Sequence, residues 1–279
     1  MARIESGYLF VAKSVAAVAS SDLKGFILIA RMKVFVIIPA AGLGTRMTAA
    51  PAATSARPRK TVPSKQFAEL GGTPILIQTL RRFAKSSEIS EIIVALRRAE
   101  VAPFRGRLEK EAPEILAKKT VLIEGGESRQ QSVANGLAAV SASADDIVLV
   151  HDAVRPFVTE EMIHEVIAGA SKYGAAIAGV PAVDTVKQVE RTAEGAVIRA
   201  TIPREKIVLA QTPQGFRYSV IKKAFDEASA DGFVGTDEAS LVERSGHPVA
   251  VVMGSSRNIK ITTPGDLELA EYYSRTGSK

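Results

Sequence analysis

The chain has 279 residues, of which 46% are hydrophobic and 24% charged, a balance that suits one large α/β domain or two small ones. It contains no cysteine, which excludes disulfides and thiolate metal sites, and His151, His164 and His247 lack the H-x-x-x-H spacing of a helical zinc site. The net charge of +6 is local: residues 23–68 carry eight Lys and Arg and no acid, so the rest of the chain is net negative and a nucleic-acid duplex is not the expected partner.

Residues 1–31 contain two apolar stretches, FVAKSVAAVAS and FILIA, broken by Lys13, Ser20, Asp22 and Lys24. No run approaches the roughly 20 residues needed to span a bilayer. Ser20, Ser21 and Asp22 lead into a second apolar stretch rather than a mature domain, which argues against a signal peptide. The expectation is an extension of the chain ahead of a single domain over residues 32–279, in a cytoplasmic protein with no membrane contact.

From there, apolar runs bounded by turn residues recur: VFVIIPA (34–40), EIIVAL (91–96), TVLIEGG (120–126), DIVLVHDA (146–153), GAAIAGVPA (174–182) and VAVVMG (249–254). Most are continuous rather than alternating, as expected of strands covered on both faces. Between them PILIQTLRRFA (74–84), residues 130–140 and residues 160–171 carry helical spacing, with Thr159 a candidate cap for the last. Strands alternating with helices predict an α/β fold, a Rossmann-like open and mostly parallel sheet with right-handed crossovers.

Two stretches interrupt the alternation. Residues 48–64, TAAPAATSARPRKTVPS, read as irregular. Their length and lack of acids suggest a lid over a polyphosphate. Residues 184–211 read as a projecting hairpin arm: TVKQVE, a turn at 192–195, then AVIRATI. A long hairpin exposes edges that need cover, and a second subunit is the natural cover.

The stretch PAAGLGTRM follows the first strand directly. A dinucleotide fingerprint would place its third glycine at Met47, and a Walker A loop would need G-K-[ST], which is missing. A glycine turn opening a helix exposes N–H groups that favour phosphate, and Arg46 adds a forked cation. Lys65 in SKQF supplies a second cation. GGESRQQSV (125–133) is another glycine turn entering a helix, with Ser132 offering a hydroxyl. VHDAVRPF (150–157) puts Asp152 and Arg155 at the carboxyl end of a predicted strand, where ligands of open α/β sheets bind. AQTPQGF and GTDEASLVE add hydroxyls and carboxylates, and NIKITTPGDLELAE supplies Lys260 on a short strand before a terminal helix.

In this order PAAGLGTRM, SKQF, GGESRQQSV, VHDAVRPF, DTVK, AQTPQGF, TDEAS and NIKIT resemble the 2-C-methyl-D-erythritol 4-phosphate cytidylyltransferase family, over residues 32–273. The resemblance implies a nucleotidyltransferase that joins CTP to a sugar-alcohol phosphate in the non-mevalonate isoprenoid pathway, as a homodimer embraced by the hairpin arm. By match to the family motifs, Ala40, Ala41, Gly42 and Gly44 would line the CTP loop, Gly126 and Ser132 would hold the cytosine end, and Ala153 would lie against the ribose. Arg46 and Lys65 would be catalytic cations, with Lys260 on the α-phosphate. Asp152, Arg155, Thr185, Thr212 and Thr236 would hold the sugar alcohol, and Arg204 would reach its phosphate across the dimer. The loop before the lysine is longer than is usual in the family, and Ser64 rather than proline precedes Lys65, which leaves Lys60 as the alternative cation.

The implied reaction is attack of an anionic phosphate oxygen on the α-phosphorus of CTP, so no strong general base is needed. Mg²⁺ bridging the CTP phosphates is implied as cofactor. Asp152 is the one carboxylate to name for it, directly, through water, or engaged on the sugar instead. Two other readings stay open: a cytidylyltransferase for a pentitol phosphate such as ribitol 5-phosphate, and a nucleotide-binding module without catalysis.

Overall fold

In a computed structural model, which describes residues 32–42, 64–193 and 195–276, the run VFVIIP forms β1 (Val34–Pro39) at the centre of a seven-stranded sheet. Contacts divide the chain into Met1–Arg31 and Met32–Lys279, and the first unit lies outside the described residues. After β1 come a 3-10 turn at Lys65–Phe67, the short pair β2 (Glu69–Leu70) and β3 (Thr73–Pro74), and α1 (Ile75–Lys85). Next are β4 (Glu91–Leu96), α2 (Arg98–Glu111), α3 (Pro113–Ala117), β5 (Thr120–Glu124), α4 (Arg129–Ala139), β6 (Ile147–Val150), α5 (Glu160–Tyr173) and β7 (Ala175–Pro181). The arm is β8 (Val186–Thr192) and β9 (Gly195–Ile202), followed by a 3-10 turn at Arg204–Lys206. β10 (Val208–Arg217), α6 (Tyr218–Asp231), α7 (Glu238–Arg244), β11 (Ala250–Met253) and α8 (Pro264–Thr276) complete the order.

The sheet runs β11-β7-β10-β6-β1-β4-β5. All neighbours are parallel except β10, which is antiparallel to both β6 and β7. The chain moves outward from β1 to β4 and β5, then returns to place β6 on the other side of β1. Between β1 and β6 the winding reverses, and such a switch point opens a crevice at the carboxyl ends of the strands.

Both faces of the inner strands β1, β4 and β6 are buried, which is why these strands are apolar without alternation. Val34, Val36 and Ile38 pack with Leu76, Leu80 and Phe83 of α1, Phe104 and Leu108 of α2, and Ile163 and Val166 of α5. Phe35 and Ile37, on the opposite face, pack with Val133 and Leu137 of α4, Ile221 and Phe225 of α6, and Val242 of α7. The Thr159 hydroxyl caps α5 by accepting from Met162 N at 3.2 Å. Gly174, at φ 85°, ends the same helix in the left-handed region that glycine tolerates.

Three details differ from the sequence reading. β10 runs through AQTPQGF, which is not among the strands expected from composition; its pairing with β7 slips between Ala210 and Gln214, where Pro213 interrupts the donor pattern. Because Val208–Ala210 already pair with β7, the part of 184–211 that leaves the central sheet ends before β10. Lys260 lies outside any strand: Ile261 N donates to Val154 O, while Thr262 N and Thr263 N go to the Asp266 carboxylate at the start of α8, so no ladder forms.

Candidate active site

β1 ends against β4, where Ala40 N donates to Ala95 O, and the chain enters the glycine turn at Ala41 and Gly42. Gly44, Arg46 and residues 48–63 of the expected lid, including Lys60, lie outside the described residues. The chain is described again at Ser64, and the 3-10 turn places Lys65 beside the end of β1. Gln66, which is 2% exposed, donates from Nε2 to Ala40 O at 2.7 Å and ties that turn to the strand it left. Arg97 and Glu100 hold Ser64 from below through side-chain hydrogen bonds.

The second glycine turn lies against the first. A Cβ on Gly125 would stand 2.7 Å from Ala41 Cβ, so only glycine allows this approach. Ser128 caps α4 by accepting from Gln131 N, and the buried Ser132 hydroxyl accepts from Gly126 N at 3.0 Å and donates to Ser128 O at 2.9 Å. These bonds keep Gly126 N, Gln131 N and Ser132 N within the turn and fix the start of α4 beside the glycine turn after β1.

These loops, the end of β6 and Lys260 enclose a cavity of 220 Å³. Ala40, Ala41 and Gly42 form one wall, and Gly126 and Ser132 another. Asp152, Ala153, Lys65, Lys260 and Arg129 are also among its lining residues. A larger groove of 460 Å³ between α4 and α6 is lined by Leu137, Phe225, Ala228 and Phe233 and lacks such a concentration of cations.

Asp152 is the electrostatic centre of the cavity. Its carboxylate lies 2.9 Å from Lys260 Nζ, 3.2 Å from Arg155 Nε and 3.3 Å from Arg129 Nε. Burial pushes the Asp152 carboxyl up, but the charges of Arg129, Lys260 and Arg155 outweigh it and hold it well below the usual carboxylate range. Arg129 also donates to Glu238 at 2.6 Å, a residue 1% exposed at the first turn of α7. Burial opposes the Arg129 charge, yet Glu238 and Asp152 together raise its pKa above the ordinary guanidinium value. Burial raises the Glu238 carboxyl, with Arg129 opposing. Neither Arg129 nor Glu238 was among the residues the sequence singled out, although both sit inside motifs that it did.

Asp152 does not fit a metal ligand. Three cations within 3.3 Å already surround its carboxylate and would repel a dication. Among the described residues no cluster of three or more His, Asp or Glu side chains could hold a metal ion. Lys65, Arg129 and Lys260 line the cavity against two carboxylates, Asp152 and Glu127, so its lining carries an excess of positive charge.

The remaining expected residues stand apart. Arg155 is tied to Asp152 and donates from Nη1 to Asn258 O at 2.6 Å. Thr212, 4% exposed, has its hydroxyl between Asp152 N and His151 Nδ1, 3.1 Å from each. Thr236 is exposed, immediately before Asp237, whose side chain and Ser240 make a capping box on α7. Thr185 and Arg204 are exposed at the base of the arm, where Arg204 donates to Val183 O at 2.7 Å, and neither lines the cavity.

The family model for 2-C-methyl-D-erythritol 4-phosphate cytidylyltransferase (IspD) matches residues 34–276. The protein of that name from Acidobacterium capsulatum is 56% identical over 247 residues, covering 88% of this chain and 99% of its own length. Among solved structures, 4-diphosphocytidyl-2C-methyl-D-erythritol synthase of Anaerococcus prevotii is 30% identical with a TM-score of 0.70, over 88% of this chain and 99% of its own. The 2-C-methyl-D-erythritol 4-phosphate cytidylyltransferase of Thermus thermophilus is 35% identical with a TM-score of 0.66, over 88% of this chain and all of its own.

Proposed function

The chain belongs to the 2-C-methyl-D-erythritol 4-phosphate cytidylyltransferase family, and we propose that the cavity between β1 and β6 is where it moves a cytidylyl group from CTP to 2-C-methyl-D-erythritol 4-phosphate. The observation that carries this reading is the convergence of Lys65, Lys260 and the two glycine turns at Gly42 and Gly126 on one small cavity.

A phosphate oxygen of the acceptor attacks the α-phosphorus, the bond to the β-phosphate oxygen breaks, and pyrophosphate leaves with the electron pair. The nucleophile arrives as an anion, so the obstacle is charge repulsion rather than proton removal. Lys65 and Lys260 offset that repulsion and stabilise the charge that builds on the equatorial oxygens, with Arg46 as a third cation in the same role. Ala40, Ala41, Gly42 and Gly44 carry the triphosphate side of the nucleotide. Gly126 and Ser132 hold the base, and Ala153 supports the ribose. Asp152, fully charged and fixed by its cations, accepts from hydroxyls of the sugar alcohol. Arg155, Thr185 and Thr236 complete that end, and Arg204 from a second protomer reaches the acceptor phosphate. The implied Mg²⁺ finds no protein donors at Asp152, so no step is assigned to it here.

The arm supports a homodimer: Val189, Val197 and Ile198 are exposed on a two-stranded ribbon that pairs with no other strand among the described residues. A cytoplasmic location belongs to the same reading; among the described residues no helix is long and apolar enough to cross a membrane.

The test is pyrophosphate release from CTP, ATP, GTP or UTP, each offered 2-C-methyl-D-erythritol 4-phosphate or ribitol 5-phosphate. Release with CTP and the methylerythritol phosphate supports the reading. Preference for ribitol 5-phosphate, or CTP binding without release, overturns it.

A further inference from the structure

His151 is fully buried at the end of β6, with its backbone N–H on Ile37 O at 3.0 Å and its ring packed edgewise on Phe83. The ring reaches no cavity, and the reaction gives it no task. Yet both ring nitrogens are engaged. Nε2 lies 3.1 Å from Arg155 O and Nδ1 lies 3.1 Å from Thr212 Oγ1.

The directions of these bonds follow from chemistry. A carbonyl oxygen only accepts, so Nε2 carries the ring proton. Burial holds the ring neutral, with a pKa lowered to about 4. Nδ1 of a neutral ring protonated at Nε2 is an acceptor, so Thr212 donates its hydroxyl hydrogen there. The Thr212 oxygen is then left to accept from Asp152 N at 3.1 Å. Arg155 N donates back to Asp152 O at 3.1 Å and closes a circuit of four hydrogen bonds. The Thr212 carbonyl is also held, by Asn258 Nδ2 at 2.9 Å, two residues before Lys260.

We infer that His151 is a positioning residue for the acceptor end of the site, its imidazole clamping the turn from Asp152 to Arg155 through the Thr212 hydroxyl and the Arg155 carbonyl. Thr212 then serves the reaction by mounting Asp152, because its only proton is committed to His151. This rests on the cytidylyltransferase reading, in which Asp152 and Arg155 hold the sugar alcohol.

The test combines kinetics with spectroscopy of the full-length protein. Thr212→Val keeps the shape and removes the hydroxyl, and His151→Gln keeps a donor near Arg155 O while losing the Thr212 contact. Each raises the KM for the methylerythritol phosphate about tenfold, the effect of one buried hydrogen bond, and that for CTP far less. Thr212→Ser recovers most of what Thr212→Val loses, and the double variant is no worse than either single one. Equal increases in both KM values, or multiplied effects in the double variant, overturn the inference. Should the variants fail to fold, nitrogen-15 correlation spectra of the histidines in the unaltered protein decide: a proton on Nε2 with Nδ1 bare supports the clamp, and a proton on Nδ1 overturns it. A wild-type protein that releases no pyrophosphate defeats the functional reading alone, since the spectra still report on the clamp.

Discussion

The Lys260 ammonium lies 2.9 Å from Asp152 Oδ2, so the cation proposed for the α-phosphate is paired with a carboxylate. A triphosphate entering the cavity competes for that cation. Arg129 and Arg155 remain on Asp152 when Lys260 turns away, so the carboxylate stays charged and paired.

Lys260→Ala is therefore expected to lower kcat by about 10²–10³-fold, the effect of removing one preorganised oxyanion partner. The fold survives, because Asp152 keeps two of its three cations. Pyrophosphate release and a thermal melt check both halves. Turnover within a few-fold of wild type would remove Lys260 from the reacting centre.

Glu238→Gln tests the buried end of the network. Glu238 is 1% exposed and its partner Arg129 is 31% exposed at the side chain, so the pair is partly wet. Removing one member of a fully buried pair costs about 3–5 kcal/mol, but Arg129 is partly wet and keeps Asp152, the amide oxygen still accepts from it, and burial already disfavours the Glu238 charge, so a loss of no more than about 1 kcal/mol is expected. Urea denaturation measures it. The acceptor KM rises with it, since the amide still accepts from Arg129 but no longer balances its charge, and Asp152 is held by the same guanidinium.

The sequence carries the frame of this site better than its supports. β1, β4 and β6 are continuous Val, Ile and Leu runs because helices cover both faces, and that signal needs no tertiary information. Gly42 and Asp152 follow from it, as they stand just beyond those strands, whereas Ala40 and Ala153 come only with the family resemblance. β10 is hidden because Pro213 and a slipped register break its pattern, and α2 because Pro103 sits inside it. Gln66, Arg129, His151 and Glu238 act through partners remote in the chain. A glutamine that bonds a carbonyl 26 residues earlier in the chain has no local periodicity, and a buried histidine reads in one dimension like any core residue. The motifs that contain them mark the place, and only the fold assigns the work.

The hairpin arm predicts a dimer. Two-stranded ribbons are marginal alone, and Val189, directly paired with Ile198, exposes an apolar face on this one. Sedimentation at micromolar concentration is expected to give a dimer. Ile198→Asp is expected to shift it toward monomer and to raise the KM for the acceptor, since Arg204 would no longer reach a neighbouring site. A monomeric wild-type protein would defeat the arm's assigned role.

His151 also sets a pH dependence of stability. Its folded pKa of about 4 lies below the ordinary imidazole value of 6.5 because burial disfavours the charged ring. Above pH 6.5 both folded and unfolded chains hold it neutral, and it contributes nothing to the slope. As pH falls from 6.5 to about 4, the unfolded chain gains a proton that the folded chain refuses, so stability declines by ~3 kcal/mol, at about 1.4 kcal/mol per pH unit. Asp152 does not add to this window, because its cations keep it ionised to lower pH. Urea midpoints measured between pH 7.5 and 4.5 should fall more steeply for wild type than for His151→Gln, whose side chain does not titrate. Parallel slopes for the two proteins would mean that the ring protonates inside the folded chain, in conflict with its two acceptor and donor partners.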